Sequence, residues 1–141
     1  MIILAVDLGK ARTGTAICDK DEIMASPLEV VSEHNREKLA DRIDELVKLR
    51  KAEIIVMGLP RNMDGSEGDS AKGAREFGEL LAEKTGLNVD FCDERGTTIT
   101  AHGYLNVTDT RGKKRKAVVD AVAATIILED YMNYRKNKGL K

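Results

Sequence analysis

The sequence has no tryptophan, and its 141 residues include three tyrosines and two phenylalanines. A protein that binds single-stranded nucleic acid by base stacking needs aromatic side chains on its surface, so this scarcity argues against such a platform. Cysteine is also scarce, because Cys18 and Cys92 are too few for the disulfide framework of a small secreted domain. Two unpaired thiols are typical of a reducing compartment, and we therefore expect a cytoplasmic protein.

The sequence also lacks a long hydrophobic run. The longest apolar stretches, at 2–6 and 121–128, are far too short to cross a bilayer. The first seven residues have neither the basic region nor the cleavage site of a signal peptide, and they are typical of a strand. We expect no membrane partner. His34 and His102 lack metal-ligand spacing, and no Ser/His/Asp or Cys/His arrangement is indicated.

Neither sign of charge dominates, because 23 Lys and Arg residues stand against 24 Asp and Glu residues, with a formal net charge of −1. With 42% hydrophobic and 33% charged residues, the composition predicts one globular domain over 1–141. The basic residues are unevenly distributed, since RGKKRK at 111–116 stands out on an otherwise acidic chain. A solvated surface loop would explain such a run as well as a nucleic-acid contact would.

Hydrophobic periodicity predicts the element order βββαβαβα. The continuous apolar run at 2–6 indicates a strand that is buried on both faces and therefore central, whereas Pro27 places the third strand at an edge. Strands separated by helices connect in parallel, so we expect an α/β fold with a five-stranded mixed sheet, its first three strands antiparallel, and helices on both faces. The predicted strands cover 2–6, 14–19, 23–31, 54–57 and 87–92, and the predicted helices cover 35–51, 66–84, 97–105 and 116–134, with a polar loop at 106–114.

Three acidic residues have neighbours that are unusual for solvated carboxylates. Asp7 ends the most apolar strand, Glu94 follows the last strand, and Asp120 lies within the apolar stretch 117–124. If the strands of Asp7 and Glu94 are adjacent and parallel, the two carboxylates lie side by side at the carboxyl edge of the sheet, where ligand sites form. A helix packed over that edge adds Asp120. Carboxylates that are brought together repel each other unless a cation joins them, and oxygen ligands favour Mg²⁺ or Mn²⁺.

Each of these acids also has a purely structural interpretation. Asp7 could simply open a turn after its strand. Glu94 could form a surface ion pair with Arg95. Asp120 could pair with Lys116, one helical turn earlier. The metal hypothesis depends on the coincidence of all three acids.

Basic and amide side chains near the predicted strand ends are candidates for contacts with phosphate groups. Gly9 and Gly14 frame a bend in which the backbone and Arg12 can approach phosphate oxygens, although an ordinary hairpin also uses such glycines. The loop after the fourth strand adds two polar side chains, and the basic run leads into the helix of Asp120. The predicted nucleic-acid contacts are Arg12, Arg61, Asn62, Arg95, Arg111, Lys113, Lys114, Arg115 and Lys116.

Four sequence blocks carry a resemblance to a known family. They are VDLGKARTGTA at 6–16, GLPRNMDGSEG at 58–68, DERGTT at 93–98 and KKRKAVVDAVAATIILEDYM at 113–132. Together they span nearly the whole chain, and they resemble the YqgF/RuvX family of proposed pre-16S rRNA nucleases, also described as proposed Holliday junction resolvases. The resemblance implies an RNase H-like fold, and it maps the family's proposed acidic residues onto Asp7, Glu94 and Asp120.

The resemblance also implies an activity and a substrate. It indicates a Mg²⁺- or Mn²⁺-dependent hydrolase that cleaves structured nucleic acid, with the 5′ end of pre-16S rRNA in ribosome biogenesis as the expected substrate and a monomer or weak dimer as the expected state. A Holliday junction resolvase acting on DNA is one alternative, and a non-catalytic RNA or transcription-complex binding factor is another. The bend after Asp7 also resembles the phosphate loop of actin-like ATPases, but those proteins need two such domains.

Two features limit how closely better-known nucleases can guide the site. Gly96 stands where the family usually has a large apolar residue after DER, which loosens the expected turn beside Glu94. Many RNase H-like nucleases carry an acid directly after the fourth strand, whereas this chain, like the family it resembles, has Gly58-Leu59-Pro60 there. The second carboxylate is therefore expected from the fifth strand.

Overall fold

The computed structural model describes residues 1–9, 12–60, 68–93 and 112–138, and it describes their side chains except at 93 and 112–121. Within this part of the chain, five strands and three helices follow one another in the predicted order. They are β1 (Ile3–Asp7), β2 (Thr13–Cys18), β3 (Ala25–Val31), α1 (Arg36–Arg50), β4 (Ile54–Leu59), α2 (Asp69–Thr85), β5 (Val89–Asp93) and α3 (Gly112–Asn137).

The strands form one sheet in the order β3-β2-β1-β4-β5. β1 pairs antiparallel with β2, and β2 pairs antiparallel with β3, whereas the β1–β4 and β4–β5 pairs are parallel. The predicted mixed sheet with β1 at its centre is therefore confirmed. β3, which contains Pro27, is an edge strand as predicted.

The side chains of β1 alternate between two cores on opposite faces of the sheet. Leu4 and Val6 belong to the core beneath α1 and α2, whereas Ile3 and Ala5 belong to the core beneath α3. All four side chains are fully buried, because helices cover both faces. The result is a three-layer α/β fold, and the same alternation assigns Asp7 to the face that α3 covers.

The start of α1 and the end of α2 lie where local signals predict them, but α2 begins later than expected. The side chain of Asn35 caps α1 by accepting a hydrogen bond from the backbone nitrogen of Lys38 at 3.0 Å. Gly86, with a φ of 73°, ends α2 in the left-handed conformation that glycine favours. The prediction that α2 begins at Ser66 is wrong, because Gly68 occupies the cap position with an extended backbone. Ser66 itself lies outside the described residues.

α3 begins earlier than predicted, because the helix starts at Gly112 rather than near Lys116. The basic residues expected in a loop as far as Lys114 are helical, which is consistent with the good helix propensities of lysine and arginine. The predicted short helix at 97–105 lies outside the described residues. None of the three helices is long and apolar enough to cross a membrane.

Candidate active site

Asp7 is the last residue of β1, at the carboxyl end of the central strand. Backbone pairing with β2 on one side and β4 on the other fixes the strand in the sheet. The Asp7 side chain is half-buried, and the alternation of side chains along β1 directs it to the face that α3 covers. The sheet thus holds a carboxylate rigidly at the edge where parallel α/β sheets form ligand sites.

Glycine lies beside Asp7 on both neighbouring strands. Gly14 of β2 is its direct partner in the antiparallel register. On β4 the parallel register pairs Val6 with Met57, so the position beside Asp7 is the next residue, Gly58. Neither neighbour therefore presents a side chain beside the Asp7 carboxylate.

The backbone does not require glycine at either position. Both residues lie within strands, and among the described residues Gly86 is the one glycine with a positive φ. Glycine inside a strand weakens the strand, and its occurrence there often marks a place where a ligand approaches. Backbone conformation is therefore not the reason for glycine at positions 14 and 58.

The loop after β1 is tightly bent, and an arginine from α1 contacts it. A Cβ atom on Gly9 would overlap the carbonyl oxygen of Arg12, so this turn requires glycine. Arg36 Nη1 donates a hydrogen bond to the Gly9 carbonyl oxygen at 3.2 Å, and its guanidinium lies 5.8 Å from the ring centre of Phe77. The sequence analysis missed Arg36, because it starts a helix far along the chain and only the fold brings it to this loop.

Asp120 lies in α3, four residues before Ala124, which is fully buried in the core beneath that helix. Positions four residues apart share one face of a helix, so position 120 belongs to the face that α3 turns toward the sheet. Asp7 belongs to the opposing surface of the same interface.

Glu22, in the turn between β2 and β3, contacts both α3 and the residues that lead into β1. Its carboxylate lies 2.7 Å from Arg135 Nε near the end of α3, and 3.5 Å from the backbone nitrogen of Met1 just before β1. Asp7 is the sixth residue after Met1 along an extended chain, a distance of about 20 Å. Asp120 is the fifteenth residue before Arg135 in the helix, a distance of about 22 Å along its axis. We therefore expect positions 7 and 120 to lie near the same edge of the sheet.

The condition under which Asp7 and Glu94 would lie side by side is not met, because β4 lies between β1 and β5. The connection through α1 places β4 beside β1, and the connection through α2 places β5 outside β4. Neighbouring strands are about 4.8 Å apart, so β1 and β5 are separated by about 10 Å. The position between them at the level of Asp7 is Gly58, whose partner on β5 is Cys92. Glu94 itself lies outside the described residues.

The other predicted contact residues fall into two groups. Arg12 is half-buried and directly precedes β2. The backbones of four basic residues form the first turns of α3, and these residues are Lys113, Lys114, Arg115 and Lys116. The remaining predicted contacts lie outside the described residues, and these are Arg61, Asn62, Arg95 and Arg111.

Among the side chains that the structure describes, no three His, Cys, Asp or Glu groups are close enough to hold a metal ion. Asp7 is one of the side chains that the structure describes, whereas Glu94 and the side chain of Asp120 are not.

Burial raises the pKa of the Cys18 thiol, against the opposing effect of a hydrogen bond from the backbone nitrogen of Ile3. The thiol therefore stays protonated near neutral pH and packs as a core side chain.

The three layers, the strand order and the aspartate at the end of the central strand define an RNase H-like α/β protein. The solved structure of Thermus thermophilus RuvC in complex with a Holliday junction substrate is similar, with a TM-score of 0.62 over 97% of this chain and 96% of that chain. The fowlpox virus resolvase in complex with Holliday junction DNA is also similar, with a TM-score of 0.56 over 95% and 98% of the two chains. The identities are 15% and 12%, so both likenesses concern the fold.

The chain belongs to the RuvX family. The family model, described as RuvX: Holliday junction resolvase, matches residues 1–134. A relative from Agathobacter rectalis is 39% identical over 140 residues, which are 97% of this chain and 98% of the relative. A relative from Rhodopirellula baltica is 42% identical over 137 residues, which are 97% of this chain and 79% of the relative. The names of both relatives propose a pre-16S rRNA nuclease, and the family resemblance of the four sequence blocks is confirmed.

Proposed function

We propose that this protein is a nuclease that hydrolyses phosphodiester bonds of structured nucleic acid at the carboxyl edge of its sheet. The observation that carries the proposal is the Asp7 carboxylate, held at the end of the central strand with Gly14 and Gly58 on either side. A site for a cation and a phosphate group needs this combination of a fixed oxygen ligand and open space. Membership of the RuvX family supports the same chemistry.

Asp7, Glu94 and Asp120 are the residues that we propose as ligands of one or two Mg²⁺ or Mn²⁺ ions. Their donor atoms are carboxylate oxygens, which these cations prefer, so the residues fit such an ion. A bound ion supplies Lewis acidity, which makes an attacking water more acidic and offsets the charge of the scissile phosphate. Asp7 and Glu94 would hold the ion from two strands, β1 and β5, that β4 separates.

Other residues of the chain orient the substrate in this proposal. Arg12, at the end of the loop that Gly9 bends, donates hydrogen bonds to a phosphate beside the scissile bond. The basic first turns of α3 bind phosphates on the other side, where the amide groups of a helix N-terminus add further donors. These contacts hold the phosphodiester in line with the attacking water, and they recognise backbone shape more than base sequence.

The substrate that we propose is a precursor of ribosomal RNA, free or in a ribosomal particle, cleaved near the 5′ end of the 16S sequence in the cytoplasm. The names of the relatives from Agathobacter rectalis and Rhodopirellula baltica support this assignment. A four-way DNA junction is the second candidate, because the family description names that substrate. Junction resolution needs paired cuts by a two-fold dimer, whereas we expect a monomer or weak dimer.

Incubation with both substrates tests the proposal. A pre-16S rRNA fragment and a four-way DNA junction are each mixed with wild type and with Asp7→Asn, in Mg²⁺ and in chelator. We expect wild type to cleave the RNA in Mg²⁺ alone, and Asp7→Asn to bind the RNA without cleaving it. Cleavage of the junction alone would favour the resolvase. Tight RNA binding without metal-dependent cleavage of either substrate would contradict the nuclease and indicate a binding factor.

A further inference from the structure

α3 carries Asp120 near one end and is fixed to the sheet by polar contacts near the other. Arg135 donates hydrogen bonds from Nε to Glu22 Oε1 at 2.7 Å and from Nη2 to Glu22 Oε2 at 3.4 Å. These two side chains are 11% and 4% exposed, so the ion pair is buried. One turn earlier, the Tyr131 hydroxyl donates a hydrogen bond to Asp90 Oδ2 at 2.9 Å. Glu22 and Asp90 lie on opposite sides of β1 in the sheet, so α3 is held from both sides.

Among the described side chains, the part of the interface nearer Asp120 begins with small residues. Ala123 and Ala124 are buried there, and the sheet side of the same core includes Ala5 and Ala16. Small side chains allow a helix to approach a sheet closely, but they offer few ridges that interlock with it. Ile127 and Leu128, both fully buried, follow one turn later. Among the described side chains, the packing closest to Asp120 therefore resists sliding of α3 less than the packing further along the helix.

The Glu22–Arg135 pair supplies defined geometry at an energetic cost. Burial raises the pKa of the Glu22 carboxyl, but the hydrogen bonds and the charge of Arg135 outweigh burial and hold that pKa below its usual range. Glu22 also has a φ of 54°, which is unfavourable for a residue other than glycine. A buried ion pair seldom stabilises a fold more than apolar side chains of similar size do. Stability alone is therefore a weak reason for placing this pair here.

We infer that the Glu22–Arg135 ion pair sets the register of α3 on the sheet, and thereby the position of Asp120 relative to Asp7. Both members are positioning residues, because the pair lies about 20 Å along the chain directions from Asp7 and touches no reacting group. The inference rests on the proposed function, since it assigns the pair a role in the geometry of that site. A displacement of about 1 Å at a reacting centre can lower a rate on the order of 100-fold.

The test replaces the pair by apolar side chains of similar length, Glu22→Met together with Arg135→Met. We expect a Tm close to that of wild type, because the loss of two desolvated charges offsets the loss of the contact between the Met1 ammonium group and Glu22. We also expect kcat for RNA cleavage to fall on the order of 10- to 100-fold, with a smaller change in KM, because metal geometry tolerates less displacement than phosphate binding does. The rise in Tm that Mg²⁺ produces should shrink as well, which provides a readout independent of cleavage.

A second ion pair between elements provides the matched control. Arg42 of α1 and Glu29 of β3 are joined at 2.6 Å, away from α3. Glu29→Met with Arg42→Met should leave kcat and the Mg²⁺ response at wild-type values. Loss of activity in both double variants alike would overturn the positioning role.

The remaining outcomes separate this inference from the proposed function. A folded Glu22→Met/Arg135→Met protein with wild-type kcat and Mg²⁺ response overturns the inference and leaves the nuclease intact. If that protein does not fold, Arg135→Lys serves as the second variant. It keeps the positive charge but loses the bidentate contact with Glu22, so we expect a several-fold lower kcat. An unchanged kcat in folded Arg135→Lys also overturns the inference. Wild type that neither cleaves RNA nor responds to Mg²⁺ contradicts the proposed function, and the positioning role fails with it.

Discussion

At the scale of single residues, we propose that the absence of side chains beside Asp7 matters as much as the carboxylate itself. Gly14 and Gly58 flank it on β2 and β4, in strand conformations that other residues also adopt. Glycine in the middle of a sheet lacks a side chain to pack. Room for a cation and a phosphate group is the reason that we propose for both glycines.

The variant Gly58→Ala tests this account of the space beside Asp7. The added methyl group enters the region between β1 and β5, so kcat should fall at least on the order of tenfold, because small misplacements of reacting groups are costly. The Tm should stay equal or rise, because alanine weakens a strand less than glycine does. Both quantities are measured by RNA cleavage and thermal melting.

Gly73→Ala is the matched control, because nothing lies within 4 Å of the Cβ position in α2. Alanine favours a helix interior over glycine by up to about 1 kcal/mol, so this variant should be more stable with unchanged kcat. A Gly58→Ala protein that cleaves as fast as Gly73→Ala would show that space beside Asp7 is not needed.

At the scale of elements, α3 joins the proposed phosphate contacts to the proposed metal ligand. Its first turns carry four cations at the end where the helix dipole is already positive, and each such charge is unfavourable by about 0.3–1 kcal/mol. Buried contacts of the later turns, from Ala123 to Met132, hold the helix on the sheet in spite of this cost. Binding of phosphate groups would offset the same charges, and this is the function that we propose for them.

Replacing three of these cations tests that function. The triple variant Lys113→Ala, Lys114→Ala and Arg115→Ala should bind RNAs of different sequence more weakly by a similar factor. Each lost phosphate contact should also remove about 0.7–0.9 from the slope of log affinity against log salt. The control removes Lys20, Lys48 and Arg50, which lie in the β2–β3 turn and the last turn of α1. An unchanged slope in the α3 variant would mean that its basic run is merely solvated.

The elements that the sequence predicts well are those with a strong local pattern. The continuous apolar run of β1, Pro27 at the edge and Gly86 after α2 each follow from the chemistry of a few neighbouring residues. The position of β5 does not follow from such patterns, and the sequence could therefore not show that β4 separates the strands that precede Asp7 and Glu94. Arg36 at the Gly9 loop was missed for the same reason, since its contact exists only in the folded chain.

At the scale of the whole molecule, β1 lies between the antiparallel part and the parallel part of the single sheet. It pairs antiparallel with β2 and parallel with β4, and α3 is anchored to both halves through Glu22 and Asp90. The parallel connections bring the carboxyl ends of β1, β4 and β5 to one edge, whereas α3 ends near the opposite edge, where Arg135 pairs with Glu22. The near-neutral net charge, with its basic run in α3, limits non-specific binding elsewhere on the surface.

The central claim is that Asp7 and Asp120 share a divalent cation with Glu94, and thermal melting during a Mg²⁺ titration tests it most directly. The measurement compares wild type, Asp7→Asn and Asp120→Asn. The Tm of wild type should rise with Mg²⁺, because an ion that binds the folded state stabilises it. Each variant removes a ligand and a repelling charge, so without metal it should melt at or above the wild-type temperature, and its Tm should respond little to Mg²⁺. An identical Mg²⁺ response in all three proteins would contradict the claim.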